Sequence, residues 1–482
     1  MAAELPPKRG TILCLVNSAA YARPYFEQLA ERLKARGFSV VFALDSHLSD
    51  VLYASDRVLP DAWYFSDYAQ RHVGTAPADT GATAERWTSL FSDFDRFLTM
   101  EIKPPLAKDG PLRYSEVPGL LARFFAEIFA STNPVAVLYE SVSNSFAIAA
   151  YRQAELSGIP FCSISPSRIP GRIEVSMTGA LKDHETIGAI HRTGAVSDES
   201  RAIAENYVTS IDRQVPDYMK TNGLDKLGLL SKYAKAWKIA HFARCWRYRR
   251  RMARDCMFAY QHGDPVALSV AYFKRSMTRR FRARSVTRLY GTEIYDEPFF
   301  IYPLHYHPES STSVWAADYV DELSVIKAIA FRLPVNVRLY VKEHPSAVAL
   351  QPPSFYRQLK EMPNVELLAP NLPTKEIVRR SKGVVCLTST VGFEGAVLNK
   401  PVIIFGNVFY SYFPNVRAVR DYSQLTAAID WALAYQPLPK EDLVEAAAAY
   451  VEFGKPGKFD FQGSLGDVEA LDSVADLVAQ QL

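Results

Sequence analysis

The regular alternation of short apolar runs with amphipathic stretches constrains this chain more than any other feature. Residues 11–16 (TILCLV) are one such run, a helical pattern covers 25–36, Gly37 closes it, and 38–44 (FSVVFAL) is a second run. Strand, helix and strand in that order predict a parallel pair joined by a right-handed crossover. The unit returns at 134–139 (PVAVLY), 145–156 and 159–164. A second series has strand patterns at 299–303, 337–341, 365–367, 383–387 and 401–405. Helical patterns at 319–331, 354–362, 375–380 and 392–398 separate them, and 423–435 and 440–450 follow. Two such series predict an α/β fold with two Rossmann-like domains facing a cleft, where ligands bind at the carboxyl ends of strands. Residues 45–108 read as helices and loops over a sheet edge.

With 482 residues, 48% of them hydrophobic and 22% charged, the chain can bury a large core, which excludes disorder as its main state. A membrane-spanning helix needs about 20 apolar residues. The longest uncharged run, 401–416, is broken by Gly406, Asn407 and Pro414. The first nine residues have no apolar signal core, so no cleaved leader is expected. Cys14, Cys162, Cys245, Cys256 and Cys386 lie far apart with no CxxC pair. Reduced thiols, a cytoplasmic location and no structural zinc are the expectation.

The net charge of +3 hides a segregation. Residues 232–288 hold 16 Lys/Arg against Asp255 and Asp264, leaving 39 basic and 50 acidic residues elsewhere. The same stretch is rich in aromatics, and Leu230, Tyr233, Trp237 and Ala240 recur at helical spacing. A solvated helical linker with its aromatics packed on the main body fits this composition. An inner-membrane contact fits too, because each Lys or Arg near an anionic surface contributes about 1 kcal/mol. Nucleic acid fits less well, since no reading motif accompanies the charge. The division expected is 1–200, a Rossmann-like domain; 201–295, a basic aromatic helical segment; and 296–482, a second Rossmann-like domain.

Three stretches carry the candidate chemistry. The first, YPLHYHPESST at 302–312, follows a strand and gathers His305, His307, Glu309 and several hydroxyls. Its serines can also cap the next helix. A metal on His305, His307 and Glu309 is disfavoured, because the third ligand is adjacent rather than on another element. In the second, LYVKEHP at 339–345, a strand ends on Lys342, Glu343 and His344, and Pro345 turns the chain. Lys342 and His344 can offer positive charge or N–H donors to phosphate oxygens. The third runs over 384–405. There Thr388, Ser389 and Thr390 form a turn, Gly392 allows close backbone approach, and a helix begins. A helix start offers free N–H groups and a partial positive charge to an anion. Glu394, in the first turns, can accept from a ribose or only complement the dipole.

YPLHYHPESST, VKEHP and LTSTVGFEGAVLNKPVIIFG, in that order and spacing, resemble the bacterial capsule polysaccharide biosynthesis family, which includes Kdo transferases. The likeness covers about 299–415, and more loosely 140–172. It implies a GT-B glycosyltransferase that binds a nucleotide-sugar, for instance a CMP-sugar, in the C-terminal domain and an acceptor in the N-terminal one. No further cofactor is implied. The donor phosphate falls to His344-Pro345 with Ser389-Thr390, and the loop acid to Glu309. His307 and Glu322 stand where the family pattern has glutamines.

Glycosyl transfer needs a neutralised leaving phosphate and a deprotonated acceptor hydroxyl. For the second task Glu140, at the end of 134–139, is the N-terminal candidate and Asp45 the runner-up. Arg168 and Arg172, in SRIPGR, suit an anionic acceptor or a donor carboxylate. A glycan or lipid-linked acceptor would give the basic segment a use at the inner membrane. An epimerase or hydrolase of the same architecture, and a non-catalytic assembly or export component, are the alternatives.

Overall fold

The computed structural model describes residues 9–17, 19–54, 57–74, 102–214, 236–306, 309–461 and 463–482. Its first sheet collects β1 (Gly10–Val16), β2 (Phe38–Leu44), β3 (Trp63–Tyr64), β4 (Pro134–Tyr139), β5 (Phe161–Pro166), β6 (Arg172–Ser176) and β13 (Lys455–Pro456). The strand order is β13-β6-β5-β4-β1-β2-β3. The strands β5, β4, β1, β2 and β3 pair in parallel, whereas β6 and β13 run antiparallel at one edge. The second sheet takes β7 (Phe299–Pro303), β8 (Arg338–Lys342), β9 (Val365–Leu368), β10 (Gly383–Cys386), β11 (Val402–Ile404) and β12 (Val416–Ala418). Its order is β12-β11-β10-β7-β8-β9, all parallel.

The central strands are apolar on both faces because helices cover both faces. Leu13, Leu15, Val137 and Leu138 bury against Phe26, Leu29 and Leu33 of the helix Arg23–Lys34 and against Phe124 and Phe125 of Val117–Thr132. The expected strand–helix series is present with ends shifted by up to three residues. Lys342 is therefore the last residue of β8 rather than the first beyond it, and Gly392 lies inside a helix that begins at Thr390.

The expected boundaries differ from the way the two cores are assembled. Helices Asp183–Thr193 and Asp198–Thr209 leave the first sheet and bury Ile187, Ala204 and Tyr207 with the helix Lys440–Phe453 in the second domain. The chain then returns. β13 pairs with β6, and helix Val468–Gln481 places Leu471, Val474 and Val478 in the first core. Arg36 holds that helix through Asp472 (3.1 Å) and Asp476 (2.7 Å). Amphipathic periodicity announces each helix, but it does not say which sheet covers the apolar face. Two Rossmann-like sheets with the C-terminal helix returned to the first make a GT-B-like arrangement.

The basic segment is no free linker. Its helices are Ala236–Arg251, Ala253–Phe258 and Pro265–Val286. Cys245, Tyr248, Cys256 and Val266 bury with Leu48, Val51 and Leu52, and Phe258 and Tyr260 enter the first core. The Tyr260 hydroxyl lies 2.9 Å from Ser145 Oγ, Gln261 donates to Asn144 (3.0 Å), and His262 Nε2 accepts from Ser46 Oγ (2.6 Å). Gly263 has φ +55°, and a Cβ there would strike the Pro105 carbonyl, so the turn needs glycine. Asp264 then caps the long helix by accepting from Val266 and Ala267 N–H. That helix ends in the other domain, where Val286 joins the second core. The aromatics divide accordingly. Tyr248, Phe258 and Tyr260 are buried, whereas Trp237, Phe242, Trp246, Tyr272, Phe273 and Phe281 stay exposed, the last at 65%. Leu230 and Tyr233 lie outside the described residues. No described helix is long and apolar enough to cross a membrane, and all five cysteines are free and buried.

Candidate active site

The carboxyl ends of β7, β8 and β10 open on a cleft of about 760 Å³. His305, Glu309, Lys342, His344, Pro345, Thr388, Ser389, Thr390 and Glu394 all line it, and Arg168 reaches it from the first domain. The three sequence stretches thus meet in one place. His307 lies outside the described residues.

His344 sits in the turn after β8. Its Nδ1 accepts the Ser346 N–H at 3.1 Å, so the proton is on Nε2. Burial, with the histidine His305 and Lys342 nearby, pushes its pKa down to about 4. The ring is therefore neutral at physiological pH and serves as an N–H donor. Glu343 secures the turn from behind. Its carboxylate accepts from His344 N (2.9 Å), Tyr290 OH (2.9 Å) and Tyr356 OH (2.8 Å), and burial raises its pKa. Lys342 is buried and donates to the Pro370 carbonyl at 2.9 Å, and burial lowers its pKa to about 8. Its charge is present at neutral pH and is lost as pH rises past that value.

His305 differs from its expected role as a ligand contact, because both ring nitrogens are occupied. Nδ1 lies 2.8 Å from Glu322 Oε1, and Nε2 accepts the Thr388 N–H at 3.2 Å. Glu322 also accepts from His305 N and Tyr302 OH. The imidazole is thus a brace between the β7 loop and the turn after β10. Ser310–Ser313 form a short helical turn themselves rather than capping the next helix, and the Glu309 carbonyl accepts from Ser313 N. The Glu309 carboxylate is exposed at the cleft rim.

Ser389 is the N-cap of Thr390–Val397, its Oγ accepting the Val391 N–H at 3.2 Å. Gly392 corrects an expectation. It does not line the cleft; it makes room for the Tyr410 hydroxyl, which donates to the Ser389 carbonyl at 2.6 Å. A Cβ at 392 would strike that hydroxyl and lie 2.8 Å from Cys386 Sγ. Glu394 pairs with Lys375 at 3.7 Å, and burial raises its pKa. Thr388 Oγ1 and Trp315 Nε1 are buried at the cleft with no partner among the described residues, which leaves one acceptor-donor and one donor for a polar ligand.

The first domain contributes less directly. Glu140 stands at the carboxyl end of β4 but outside the cleft lining. Burial pushes its carboxyl up to about 7, with Ser143 Oγ 3.4 Å away. Asp45, at the end of β2, is wholly enclosed and raised further by burial and by Asp255. Arg172 is corrected. Its guanidinium donates to the Val451 (2.9 Å) and Gly454 (2.6 Å) carbonyls and ties β6 to the end of Lys440–Phe453. Arg168 keeps its place in the cleft, and its own N–H donates to Tyr450 OH at 3.0 Å.

Other lining residues had no signature in the sequence. Lys375 donates to the Ile211 (2.6 Å) and Gln214 (2.7 Å) carbonyls, which brings Asp212 and Gln214 to the cleft from a distant part of the chain. Tyr306, Trp315 and Phe409 add aromatic walls. The nearest signal is Pro373, which marks a helix start.

Two Rossmann-like sheets beside a cleft lined by N–H donors define a GT-B-like α/β protein. The family described as capsule polysaccharide biosynthesis protein matches residues 232–447 of this chain. Capsule polysaccharide export protein KpsS of Escherichia coli is 24% identical over 214 residues, 41% of this chain and 52% of that protein. The match thus spans about half of that relative's length. Among solved structures, the β-Kdo 2,7-transferase of Thermosulfurimonas dismutans KpsC aligns at 13% identity and TM-score 0.32, over 67% of this chain and 80% of that one. A UDP-GlcNAc 2-epimerase from Methanocaldococcus jannaschii aligns at 10% identity and TM-score 0.25, over 98% and 99%.

Proposed function

We propose that the protein is a glycosyltransferase of capsular polysaccharide synthesis that draws its sugar from a nucleotide-sugar. The observation that carries this reading is convergence. The His344 Nε2–H, the Lys342 ammonium and the capped start of Thr390–Val397 meet in one cleft at the carboxyl ends of parallel strands. Donors fixed in a partly dry site stabilise a leaving phosphate without reorganising as charge develops. Arg168 suits the carboxylate of an acidic sugar such as Kdo, and CMP is the nucleotide the family likeness favours. Glu140 takes the acceptor proton. The exposed aromatic face of residues 236–288 rests on the cytoplasmic side of the inner membrane, close to a lipid-linked acceptor.

Isothermal titration with CMP, UDP, GDP and TDP tests the donor site. His344→Ala should weaken the tightest of these more than tenfold, about the contribution of a charge-assisted hydrogen bond. Unchanged affinity would remove the phosphate role of His344. His344, already neutral from pH 6 upward, should add no step of its own, and affinity should fall as pH rises through about 8 and Lys342 loses its charge. Lys342→Met should abolish that fall. Sugar release that needs no acceptor would favour the epimerase or hydrolase alternative.

A further inference from the structure

The His344 turn is held from outside its own domain's motifs. Arg279, midway along the helix Pro265–Val286, donates from Nε to the Val348 carbonyl (2.6 Å) and from Nη2 to the Ser346 carbonyl (2.7 Å). A planar guanidinium spans two carbonyls in a way an ammonium does not. Those carbonyls flank the peptide units that shape the turn. The Ser346 N–H faces His344 Nδ1, and Ala347 N–H closes on the His344 carbonyl at 2.8 Å. Ala349, the next residue after the gripped Val348 carbonyl, has φ +57° without being glycine. That conformation is unfavourable for a residue with a Cβ and persists only where neighbours impose it. Glu343 fixes the near side of the turn and Arg279 the far side.

We infer that Arg279 is a positioning residue for donor binding: by gripping the Ser346 and Val348 carbonyls it sets the tautomer and aim of His344. The inference rests on His344 contacting the nucleotide, and it gives the basic segment a role inside the donor site. Substituting Arg279 frees both carbonyls, relaxes Ala349 and withdraws the Ser346 N–H from Nδ1. The proton then distributes between the two ring nitrogens.

The test combines titration with imidazole ¹⁵N spectra, the His344 signals being assigned by their loss in His344→Ala. Arg279→Ala should weaken the tightest binder among CMP, UDP, GDP and TDP about tenfold. Added to His344→Ala it should cost little more, since both changes remove one interaction. Its His344 signals should show mixed tautomers where the wild-type chain shows Nε2–H alone. Arg279→Lys should remain weak. Wild-type affinity with an unchanged tautomer in Arg279→Ala, full additivity with His344→Ala, or complete restoration by Lys would each overturn the inference. If His344→Ala itself binds normally, the phosphate role fails instead, and the spectra still decide whether Arg279 orders the ring. Thermal unfolding checks each variant, and Arg279→Lys serves where Arg279→Ala does not fold.

Discussion

Replacing Glu140 by Gln should lower turnover about 10²–10⁴-fold, the usual contribution of a positioned general base, while nucleotide affinity stays within twofold. The separation follows from placement, because Glu140 follows β4 in the first domain and the proposed nucleotide contacts, His344 and Lys342, lie in the second. The sign of its pH dependence is set by burial. The carboxyl holds its proton to about pH 7, so the base form and the wild-type rate should both rise as pH passes through that value. The raised pKa also means that the fold favours the neutral acid. Stability from this group is therefore greatest below the ordinary carboxylate range and declines as pH rises through 7. The Glu140→Gln variant, whose amide is always neutral, should unfold no earlier than wild type at pH 8, so lost activity would not reflect a lost fold. A rate limb at pH 7 that survives in this variant would assign the base elsewhere.

The second large effect concerns the surface of the basic segment. On Pro265–Val286, Val270, Phe273, Met277 and Phe281 recur at three- and four-residue spacing, and Lys274, Arg280 and Arg284 flank them with exposed side chains. Ile239, Phe242 and Trp246 make a matching exposed stripe on Ala236–Arg251. Exposed aromatics among cations suit a headgroup layer. Changing Lys274, Arg280, Arg284 and Arg288 to Ser removes about 4 kcal/mol of attraction to an anionic surface, roughly a thousandfold in partition. Co-sedimentation with vesicles of phosphatidylcholine and phosphatidylglycerol should fall accordingly, and wild-type binding should weaken as salt is raised. Equal binding of wild type to pure phosphatidylcholine vesicles, or unchanged binding of the variant, would refute the membrane assignment.

How much of this could be read from the residues depended on the kind of signal. Strands such as 11–16 and 134–139 were legible because a buried parallel strand must be apolar along its length. That the three motifs share one cleft was legible because their groups sit at strand ends beside turn residues, a local pattern. The role of His305 was not, since a ligand and a brace share one residue type and only the partners Glu322 and Thr388 separate them. Arg279 and Arg172 were opaque for a related reason. An arginine gripping distant carbonyls looks in sequence like any other arginine. Gly392 showed a need for close approach, but not whether a ligand or Tyr410 was approaching.

The returning C-terminal stretch has a consequence for how the molecule comes into being. The first sheet lacks its edge strand at 455–456 and its covering helix at 468–481 until every strand of the second sheet has been synthesised. About 300 residues separate β6 from that helix, which at roughly 5–20 residues per second is tens of seconds of synthesis. Through that interval the surface that Leu471, Val474 and Val478 cover has no partner from this helix, so the first core closes only after the second sheet has been made.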